Sequence, residues 1–586
     1  MSNNYIVLDV ETTIKDGPGV GAVNPFNQLL YTYMHTPNGR CEVIGGELEL
    51  SRYLDKFYEV DFVVAHNAKF EIQWLERAGL DTSKVLFFDT QIAEYVLLGN
   101  RKRPLDLNRV GQRYGCRAKE VYIDTLLANK ECPSGYPGFL LHNRCKQDVH
   151  TTHEVFKQQR KLLKEDGLLP VVYTRCIFTP VVAEMEMRGM HLDKETVEQI
   201  HAEKVNEYET ILAELDEITE GINMASPQQV ADFIFNKLKF PLPKDRSGNI
   251  KVGRASSLFP DGTPSTDEDT IASLSPKNKR QARFLELKSR ESKLRKAITS
   301  YTRKFKKACD EQDCMIWGNL NQTITVTHRL SSSNPNLQNI DRKLKKLFTA
   351  RNKGWKIRQN DYDQLEFRVA GFLAGDETLR ADVLNPKFDA HAQSATIIFG
   401  NDFLDAKGER RKEIRTEAKA HTFKPLYGGQ SGTPNERAYY KAFLDRYTGV
   451  AEWHKDLEEE ALNTKRMRTI TGLLFYFPYV KYTESGYLEG NTAIKNYPVQ
   501  MFATADIAPI GATMLWHRMR DTKVKSFLIN TVHDSVIIEE HPDEDLGNLS
   551  EIAMSNDVLR YLKQVYNIDY DFPLTIESLA KDYWGS

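Results

Sequence analysis

The sequence predicts a chain of several domains, with an α/β domain first, a mainly helical segment next and a mixed α+β region last. Residues 1–100 alternate strand-like apolar runs with amphipathic helical stretches, which is typical of an α/β domain. From Leu162 to Leu238 the apolar spacing is mainly helical, whereas the C-terminal part contains both helical and strand-like spacing of apolar residues. A length of 586 residues exceeds what one hydrophobic core supports and suits roughly two to four domains.

The elements of the first domain follow from local patterns. Helical patterning continues to about residue 155, and residues 241–276, rich in Pro, Gly, Ser and Asp, predict an extended loop or a small subdomain. The predicted strands are Tyr5–Val10, Asp61–Ala65 and Val85–Phe88, and the predicted helices are Phe70–Ala78 and Thr90–Leu98.

Composition excludes several classes of protein. The chain is 41% hydrophobic and 27% charged, and no run of 18 apolar residues predicts a membrane span. The N-terminus lacks the regions of a signal peptide. Seven scattered cysteines without a CxxC pair indicate a reducing compartment and argue against a zinc site, so we expect a cytoplasmic protein. A net charge of −2 neither indicates nor excludes a nucleic-acid partner.

Residues 278–309 form a strongly basic helical stretch. A solvated helix face and a surface for nucleic-acid phosphates explain it equally well, because phosphate contacts need cations and little else. The sequence leaves both interpretations open.

Two aspartates of the C-terminal part lie at predicted strand ends. One predicted strand ends at Asp361, from which a carboxylate can reach into a cleft. Two apolar runs flank His533-Asp534-Ser535 and predict a hairpin with an acid at its tip. Considered alone, Asp361 is a common kind of strand-end aspartate, and Asp534 is more readily interpreted as a turn residue that satisfies local backbone groups.

A predicted helix nearby carries a stripe of charged and aromatic residues. Arg415, Lys419 and Phe423 are spaced four apart and therefore lie along one face, with Tyr427 near the helix end. Pro425 would weaken the helix at that turn. A helix that only packs on a core would bury apolar groups here. Two cations followed by two aromatics instead suit a triphosphate and a nucleoside.

Together these segments predict phosphoryl transfer with two metal ions. Asp361 and Asp534 would bridge a pair of Mg²⁺ ions, one activating a primer 3′-hydroxyl and the other holding the triphosphate and the leaving pyrophosphate. Arg415 and Lys419 would neutralise the charge that develops on the phosphates.

The segments also stand in an ordered set of motifs that resembles DNA polymerase family A, the DNA polymerase I family, over nearly the whole chain. The family patterns and the segments similar to them are DYSQIELR (Asp361–Arg368), RxxxKxxxFxxxYG (Arg415–Gly428), HD (His533–Asp534), TGRLSSxxPNLQN (Thr327–Asn339), NxPxQ (Asn496–Gln500), and the thumb signals Glu186–Gly189 and Ser226–Gln229. The resemblance implies an α+β right-hand polymerase with its thumb at 159–325, its palm at 326–385 and 485–586, and its fingers at 386–484.

The resemblance also implies roles for single residues. Asp361 and Asp534 correspond to the metal ligands, and Glu366 to the residue that closes the space beside the 2′ position of the sugar and favours deoxynucleotides. The residues implied in binding the incoming dNTP are Arg415, Lys419, Phe423, Tyr427, Glu366 and Gln364. Those implied in contacting primer or template DNA, largely in the minor groove with its shared acceptors, are Arg329, Asn339, Asn496, Gln500 and His533.

Several positions depart from the family pattern. Ser535 stands where many members have a glutamate, which leaves two carboxylates around the metals. Asp363 replaces the usual Ser and, on an extended strand, would share the face of Asp361. The other departures are His328 for Gly, Thr492 for Arg, and Lys424 and Pro425 after the Phe; none removes the core chemistry.

The N-terminal region contains a second group of acids. Asp9 and Glu11 close the first predicted strand and would face the same side. With Glu71 and Asp148 they could bind two Mg²⁺ ions for hydrolysis of a phosphodiester. Their order resembles the DEDD-type 3′–5′ exonuclease domain, an α/β domain of the ribonuclease H-like fold with a mixed sheet, which precedes the polymerase in this family; here it would span residues 1–158.

This second group departs from its pattern too. Glu71 stands where Asp is usual, so its carboxylate would be shifted by one methylene. Arg144 stands where the family has a Tyr that positions the attacking water, and Asn143 stands at the alternative His position. The resemblance implies proofreading exonuclease activity, and the departure at Arg144 bears on its rate.

Other functions fit less well. Gly17-Pro-Gly19-Val-Gly21 follows a strand, but no helix start follows it, which disfavours a dinucleotide-binding oxidoreductase, and no GxxxxGK[ST] indicates a P-loop helicase. A single-subunit RNA polymerase shares the Asp motifs, but Glu366 and the exonuclease-like domain speak against it. A non-catalytic DNA-binding derivative is disfavoured by the intact Asp361 and Asp534.

The organisation as a whole resembles phage-type replicative enzymes. The length leaves no room for the large N-terminal 5′-nuclease domain of bacterial repair polymerases, and the loop at 241–276 is short for a processivity insertion. The implied role is replication of phage DNA in the host cytoplasm, with primer-template DNA and dNTPs as partners. A helicase, primase or processivity factor cannot be identified from the sequence.

Overall fold

The computed structural model describes residues 4–36, 39, 41–116, 132–244, 248–255, 259–484 and 486–585. Its strands are β1 (Tyr5–Thr12), β2 (Leu29–His35), β3 (Cys41–Gly45), β4 (Phe62–Ala65), β5 (Phe87–Asp89), β6 (Met190–Leu192), β7 (Met315–Ile316), β8 (Asn319–Asn321), β9 (Ser331–Ser333), β10 (Phe348–Thr349), β11 (Lys356–Tyr362), β12 (Arg466–Arg468), β13 (Leu474–Tyr476), β14 (Phe527–Val532), β15 (Ser535–Glu540) and β16 (Ile576–Lys581).

The helices of the described residues follow the same order. They are α1 (Gly46–Leu50), α2 (Asp55–Tyr58), α3 (Lys69–Arg77), α4 (Thr90–Leu98), α5 (Leu107–Arg113), α6 (Gly138–Glu165), α7 (Leu169–Arg188), α8 (Lys194–Thr219), α9 (Pro227–Ala231), α10 (Glu268–Ser273), α11 (Lys279–Ala297), α12 (Arg303–Glu311), α13 (Arg342–Lys345), α14 (Leu365–Ala374), α15 (Glu377–Leu384), α16 (Ala390–Phe399), α17 (Asn401–Leu404), α18 (Gly408–Thr422), α19 (Pro434–Arg446), α20 (Thr448–Thr464), α21 (Asn491–Gln500), α22 (Ala508–Asp521), α23 (Gly547–Glu551) and α24 (Val558–Tyr566). Wider π-helical turns occupy Asp232–Lys237, Ile298–Thr302, Met501–Ile507 and Ile552–Asp557.

These elements form two compact units, one made of residues 1–190 with 317–586 and the other of residues 191–316. The prediction of strands and helices in the first hundred residues is confirmed to within two residues at each end. No helix among the described residues is long and apolar enough to cross a membrane.

The first unit begins with a mixed five-stranded sheet in the order β3-β2-β1-β4-β5. Strand β1 runs antiparallel to β2 and parallel to β4, which in turn runs parallel to β5. Every residue of β4 is buried, as expected for a parallel strand covered on both faces. Asp89 ends β5 and caps α4, because its carboxylate accepts hydrogen bonds from the backbone N–H groups of Gln91 and Ile92.

The C-terminal part of the same unit contains a four-stranded antiparallel sheet in the order β14-β15-β11-β16. Its inner face packs on the helical run from α21 through the π-turn to α22, where Leu528, Val536 and Ile538 share a core with Ile510 and Leu515. This packing fixes the ends of β11, β14 and β15, where the predicted carboxylates lie.

The second unit is mainly helical, as predicted for this part of the sequence. Helices α8 and α11 pack on each other through a core that includes Ile211, Leu215, Phe284 and Leu287. The described residues of 241–276 are largely irregular apart from α10, which confirms the predicted loop or small subdomain.

Many cations of the basic stretch at 278–309 already have acidic partners within this unit. Lys288 is buried and pairs with Glu291 at 2.6 Å, and Arg290 pairs with Glu207 at 2.8 Å. Further ion pairs join Arg283 to Glu214, Arg295 to Glu291, Lys306 to Asp310 and Lys307 to Glu311. This pairing favours the interpretation as a solvated, ion-paired helix face.

Candidate functional site

The two C-terminal aspartates lie side by side at the edge of the four-stranded sheet. Asp361 is the penultimate residue of β11, where it pairs in register with Ser535 of β15. Asp534 lies with His533 in the turn between β14 and β15, which confirms the predicted hairpin. His533 has a φ of 58°, which tightens this turn, and the N–H of Tyr362 donates to the Asp534 carbonyl at 3.4 Å.

The environment of this pair suits a divalent cation. Burial, followed by the Asp361 charge, raises the pKa of Asp534 to about 7, and burial also raises the pKa of Asp361. Two half-buried carboxylates that repel each other are stabilised by a bound cation, and oxygen donors are those that Mg²⁺ prefers. The Ser535 hydroxyl donates to the Val532 carbonyl at 2.9 Å, so it serves the turn rather than the carboxylates.

Cations flank the aspartate pair. Burial lowers the pKa of His533, and the charges of Arg329 and Lys345 lower it further. Burial lowers the pKa of Lys345, whereas the charge of Asp361 opposes this shift. Two of the predicted DNA-contacting residues, Arg329 and His533, therefore share a cationic environment beside the carboxylates.

A chain of contacts that the sequence does not predict lies behind Asp361. The Trp584 indole N–H donates to the Gln359 side-chain oxygen at 3.0 Å, and the Gln359 amide donates to the Asp361 carboxylate at 3.3 Å. The Lys345 ammonium lies 4.6 Å from the centre of the Trp584 ring. No local pattern identifies these partners, because Trp584 is more than two hundred residues away from Gln359 in sequence.

The predicted phosphate-binding stripe lies on α18, which ends at Thr422, before Pro425 as the proline requires. Arg415 makes a bidentate ion pair with Asp389, at 2.8 and 3.0 Å. Asp389 is also the N-cap of α16, since it accepts from the first backbone N–H groups of that helix. Lys419 is exposed one turn further along α18.

Phe423 follows the last helical residue and presents a half-buried ring. The ring lies 5.2 Å from Phe367 and 5.5 Å from His391, measured between ring centres. Burial lowers the pKa of His391 to about 4, and the charges of Arg415 and Lys419 contribute. The cations and the aromatic ring of the stripe therefore meet around one neutral imidazole.

Glu366, in the first turn of α14, accepts a hydrogen bond from the Tyr427 hydroxyl. Gln364 precedes that helix with a φ of 50° and is exposed. The expectation that Asp363 shares the strand face of Asp361 is wrong, because β11 ends at Tyr362. The Asp363 carboxylate instead pairs with the Arg368 guanidinium at 2.6 Å.

The remaining predicted DNA-contacting residues are Asn496 and Gln500 on α21 and Asn339 in the segment between β9 and α13. Asn496 and Gln500 are half-buried on α21, and the side-chain oxygen of Asn496 is buried without a hydrogen-bond partner. Asn339 is exposed, and its neighbour Gln338 donates to the Thr531 carbonyl of β14 at 3.0 Å. An unsatisfied buried acceptor costs free energy, and it is the kind of group that a ligand satisfies.

His328 connects the Thr327–Asn339 segment to the N-terminal sheet region. Its ring stacks on Tyr95 with centres 4.0 Å apart, and its Nε2–H donates to the Gly99 carbonyl at 3.1 Å. The family's usual glycine has no side chain for this contact, so the departure at position 328 has a structural role.

Three of the four predicted N-terminal acids converge. Carboxylate oxygens of Asp9, Glu11 and Asp148 all lie within 4.8 Å of one another, the only such acid, His or Cys group in the described ranges. Glu71 lies outside this group but close enough that the Asp9 charge, after burial, raises its pKa well above the usual range. One Glu71 oxygen, Oε2, is buried without a hydrogen-bond partner.

The arginine that departs from the exonuclease pattern lies within this group. The Arg144 side chain pairs with Glu11 at 2.9 Å and approaches Asp148, one turn further along α6, at 4.0 Å. The backbone carbonyl of Asp9 accepts from the Cys145 thiol at 3.4 Å, which ties α6 to β1. Carboxylate ligands suit Mg²⁺, but one of them already holds a cation from the protein.

Comparisons with known proteins identify relatives in sequence and a similar fold. The chain is 25% identical to DNA polymerase I of Borreliella burgdorferi over 605 aligned residues, covering 99% of this chain and 62% of that protein. It is 24% identical to DNA polymerase I of Aquifex aeolicus, covering 95% of each. The POL domain of Pol1 from M. smegmatis, solved in complex with DNA primer-template and dNTP, has a TM-score of 0.76 and 21% identity, with 99% of this chain and 95% of that chain covered.

The chain therefore spans less than two thirds of the Borreliella relative, and its likeness to the solved structure concerns the fold. The family model described as DNA polymerase family A matches residues 194–586, which is more than half of the chain. On the strength of that match, the protein is a member of DNA polymerase family A.

Proposed function

We propose that the chain carries out template-directed DNA synthesis, adding deoxynucleotides to a primer 3′ end. The observation that carries this proposal is the pair of adjacent half-buried carboxylates, Asp361 and Asp534, beside the cations Arg329 and Lys345. Membership in family A and the primer-template and dNTP bound by the M. smegmatis neighbour support the same activity.

The proposed metal ions are two Mg²⁺ held by Asp361 and Asp534, and they would supply charge neutralisation at the phosphates and activation of the primer hydroxyl. The protein's own part is to fix the two ligands. The sheet register holds Asp361 against Ser535, and the tight turn at His533 holds Asp534. A site fixed in this way needs little rearrangement during the reaction.

The incoming dNTP would bind along α18. Arg415 would exchange the Asp389 carboxylate for a phosphate, which presents the same paired acceptors to the guanidinium. The exposed Lys419 would contact the phosphates next to it. The half-buried ring of Phe423 would pack against the sugar, with Tyr427 beyond it. Glu366 would then close the space beside the 2′ position, and the exposed Gln364 lies at the start of the same helix.

The primer-template DNA would contact five residues around the aspartate pair. The orphaned oxygen of Asn496 and the cationic neighbourhood of His533 support this arrangement. Donors placed in the minor groove test the shape of a base pair without reading its sequence. The proposed contacts are those of Arg329, Asn339, Asn496, Gln500 and His533.

A second activity, 3′–5′ excision, is proposed for the N-terminal acids. Asp9, Glu11 and Asp148 converge, and the buried Oε2 of Glu71, which has no hydrogen-bond partner, is an acceptor that a cation would satisfy. Carboxylates from a strand, from α3 and from α6 would hold Mg²⁺, which would supply the nucleophilic water for phosphodiester hydrolysis.

One experiment separates the two activities. Wild type, Asp534→Ala and Asp9→Ala would be incubated with a 5′-labelled primed template and Mg²⁺, with and without dNTPs. We expect Asp534→Ala to lose extension alone and Asp9→Ala to lose degradation alone. The exposed acids Asp543 and Asp16, changed to Ala, provide matched controls that retain both activities. A wild-type protein that extends no primer would overturn the main proposal.

The division into an exonuclease domain, thumb, palm and fingers remains a prediction of the resemblance. So does replication of a phage genome.

A further inference from the structure

Arg144 lies where a water-positioning aromatic residue is expected, and its side chain contacts two of the acids. The guanidinium nitrogen Nε lies 2.9 Å from a Glu11 carboxylate oxygen and 4.0 Å from one of Asp148. The Arg144 side chain is 19% exposed and that of Glu11 is 10% exposed, so water screens the pair weakly. The contact is thus an ion pair inside a candidate metal site.

Arginine cannot replace the expected tyrosine in its usual role. A guanidinium stays charged at all accessible pH values, carries five N–H donors and has no acceptor. It therefore cannot accept a hydrogen bond from an attacking water, as a tyrosine hydroxyl can. What it adds to the site is one fixed positive charge.

That charge changes the ionic balance of the site. Asp9, Glu11, Glu71 and Asp148 together carry up to four negative charges, which two divalent ions would balance. With Arg144 present, a second divalent ion would leave the group with excess positive charge. The arginine also occupies one side of Glu11, which a second ion would have to share.

We propose that the Arg144 guanidinium takes the place of a second divalent cation beside Glu11, so that the N-terminal acids hold one metal ion tightly and a second only weakly. This proposal rests on the proposed exonuclease site. Arg144 would therefore limit excision. Full excision activity would require a higher Mg²⁺ concentration than full extension activity at the Asp361–Asp534 pair does.

Metal binding can be counted directly. In an Asp534→Asn background, which weakens the other carboxylate pair, Mn²⁺ would be titrated and the free ion measured by electron paramagnetic resonance. With Arg144 intact we expect one tightly bound ion. Arg144→Gln should bind a second ion with at least tenfold higher affinity than the parent protein does, and Arg144→Lys should behave like the parent. The Mn²⁺ ions whose binding is lost in Asp9→Asn, in the same background, are those that the N-terminal acids hold.

A matched control is available on the same helix. Lys146 is exposed on α6, two residues beyond Arg144, and Lys146→Gln removes one positive charge without touching the acids. It should leave the Mn²⁺ titration unchanged, which excludes a general effect of net charge. Primer extension by each variant in the wild-type background reports that the fold is intact.

The excision assay provides an independent readout. We expect the Mg²⁺ concentration for half-maximal degradation of a single strand to fall at least fivefold in Arg144→Gln, while that for extension stays constant. Equal stoichiometry and equal affinities in the parent and Arg144→Gln would overturn the proposal, as would two tight ions in the parent. If Arg144→Gln gains the second ion but no variant degrades DNA, the counter-cation role stands and the exonuclease proposal fails.

Discussion

The Tyr427 hydroxyl donates a hydrogen bond to the Glu366 carboxylate, which joins the segment after α18 to the first turn of α14. Burial, followed by the Glu366 charge, raises the pKa of Tyr427 well above its usual range, so the phenol remains protonated and remains the donor. Tyr427 is half-buried and cannot move away without breaking this bond. The contact therefore fixes Glu366 where the sugar of an incoming nucleotide is proposed to lie.

Replacing Glu366 should weaken the selection against ribonucleotides. Glu366→Ala opens the space beside the 2′ position, so we expect the ratio of ribonucleotide to deoxynucleotide kcat/KM to rise at least tenfold. Tyr427→Phe keeps the ring but releases the carboxylate and should give a smaller rise. Single-nucleotide extension with matched rNTP and dNTP measures both, with Glu377→Ala, in the first turn of α15, as the control. An unchanged ratio in Glu366→Ala would remove Glu366 from sugar selection.

The contacts behind Asp361 predict a remote effect on extension. Trp584→Phe removes the indole N–H that holds the Gln359 oxygen but keeps an aromatic ring against Phe348. Gln359 would then orient Asp361 less firmly, so we expect kcat for extension to fall about threefold to tenfold with the dNTP KM nearly constant.

Degradation of single-stranded DNA by Trp584→Phe serves as the internal control for the extension measurement, because Trp584 does not contact the N-terminal acids. Equal losses of both activities would indicate general unfolding instead. Gln359→Glu offers a second check: it replaces the donor to Asp361 with a carboxylate and should lower kcat further than Trp584→Phe does.

Local sequence patterns predicted the elements and the acids but not the partners of the acids. The spacing of Asp9 and Glu11 on β1 and the hairpin around Asp534 are properties of short segments, and both are present in the structure. The Glu11–Arg144 ion pair and the Trp584–Gln359 bond join residues distant in sequence, so no periodicity encodes them. Asp363 shows the limit of local reasoning, since its expected face depended on where β11 ends.

Two buried histidines predict a loss of stability at acidic pH. The Nε2–H groups of His328 and His454 donate to the carbonyls of Gly99 and Leu426, at 3.1 and 3.0 Å. Burial lowers the pKa of each histidine to about 3. For His328, the buried Nδ1 has no hydrogen-bond partner, so a second proton would find no acceptor.

The sign follows from proton uptake. An unfolded histidine binds a proton near pH 6.5 whereas these two do not, so stability is full above that pH and falls as the pH drops towards 3. At pH 5 the loss should be about 2 kcal/mol for each histidine. Hydrogen exchange of the surrounding amides at pH 7 and pH 5 measures it. His328→Gln should reduce the pH dependence of amide protection around α4. His150→Gln, which changes an exposed histidine, should leave it unchanged.

The buried ion pair between Arg175 of α7 and Asp506 of the π-helical turn predicts a local weakening when one partner is removed. The two groups lie 2.6 Å apart and are 5% and 0% exposed, and the Thr471 hydroxyl also donates to Asp506, at 3.0 Å. Arg175→Met leaves a buried carboxylate without its counter-charge, which typically costs about 3–5 kcal/mol. Asp506→Asn likewise leaves the buried Arg175 guanidinium without its counter-charge.

The π-helical turn continues directly from α21, so the loss of local stability should extend to the proposed DNA-contacting residues Asn496 and Gln500. A chain of several domains does not unfold in one step, so the measurement is amide hydrogen exchange across α7 and Asn491–Asp521. We expect protection there to fall by at least about a hundredfold in Arg175→Met. The double variant Arg175→Met with Asp506→Leu should recover much of it, because removing both charges also removes the unpaired buried group. If the effects of Arg175→Met and of Asp506→Leu, each measured alone, simply add in the double variant, the pair is not coupled.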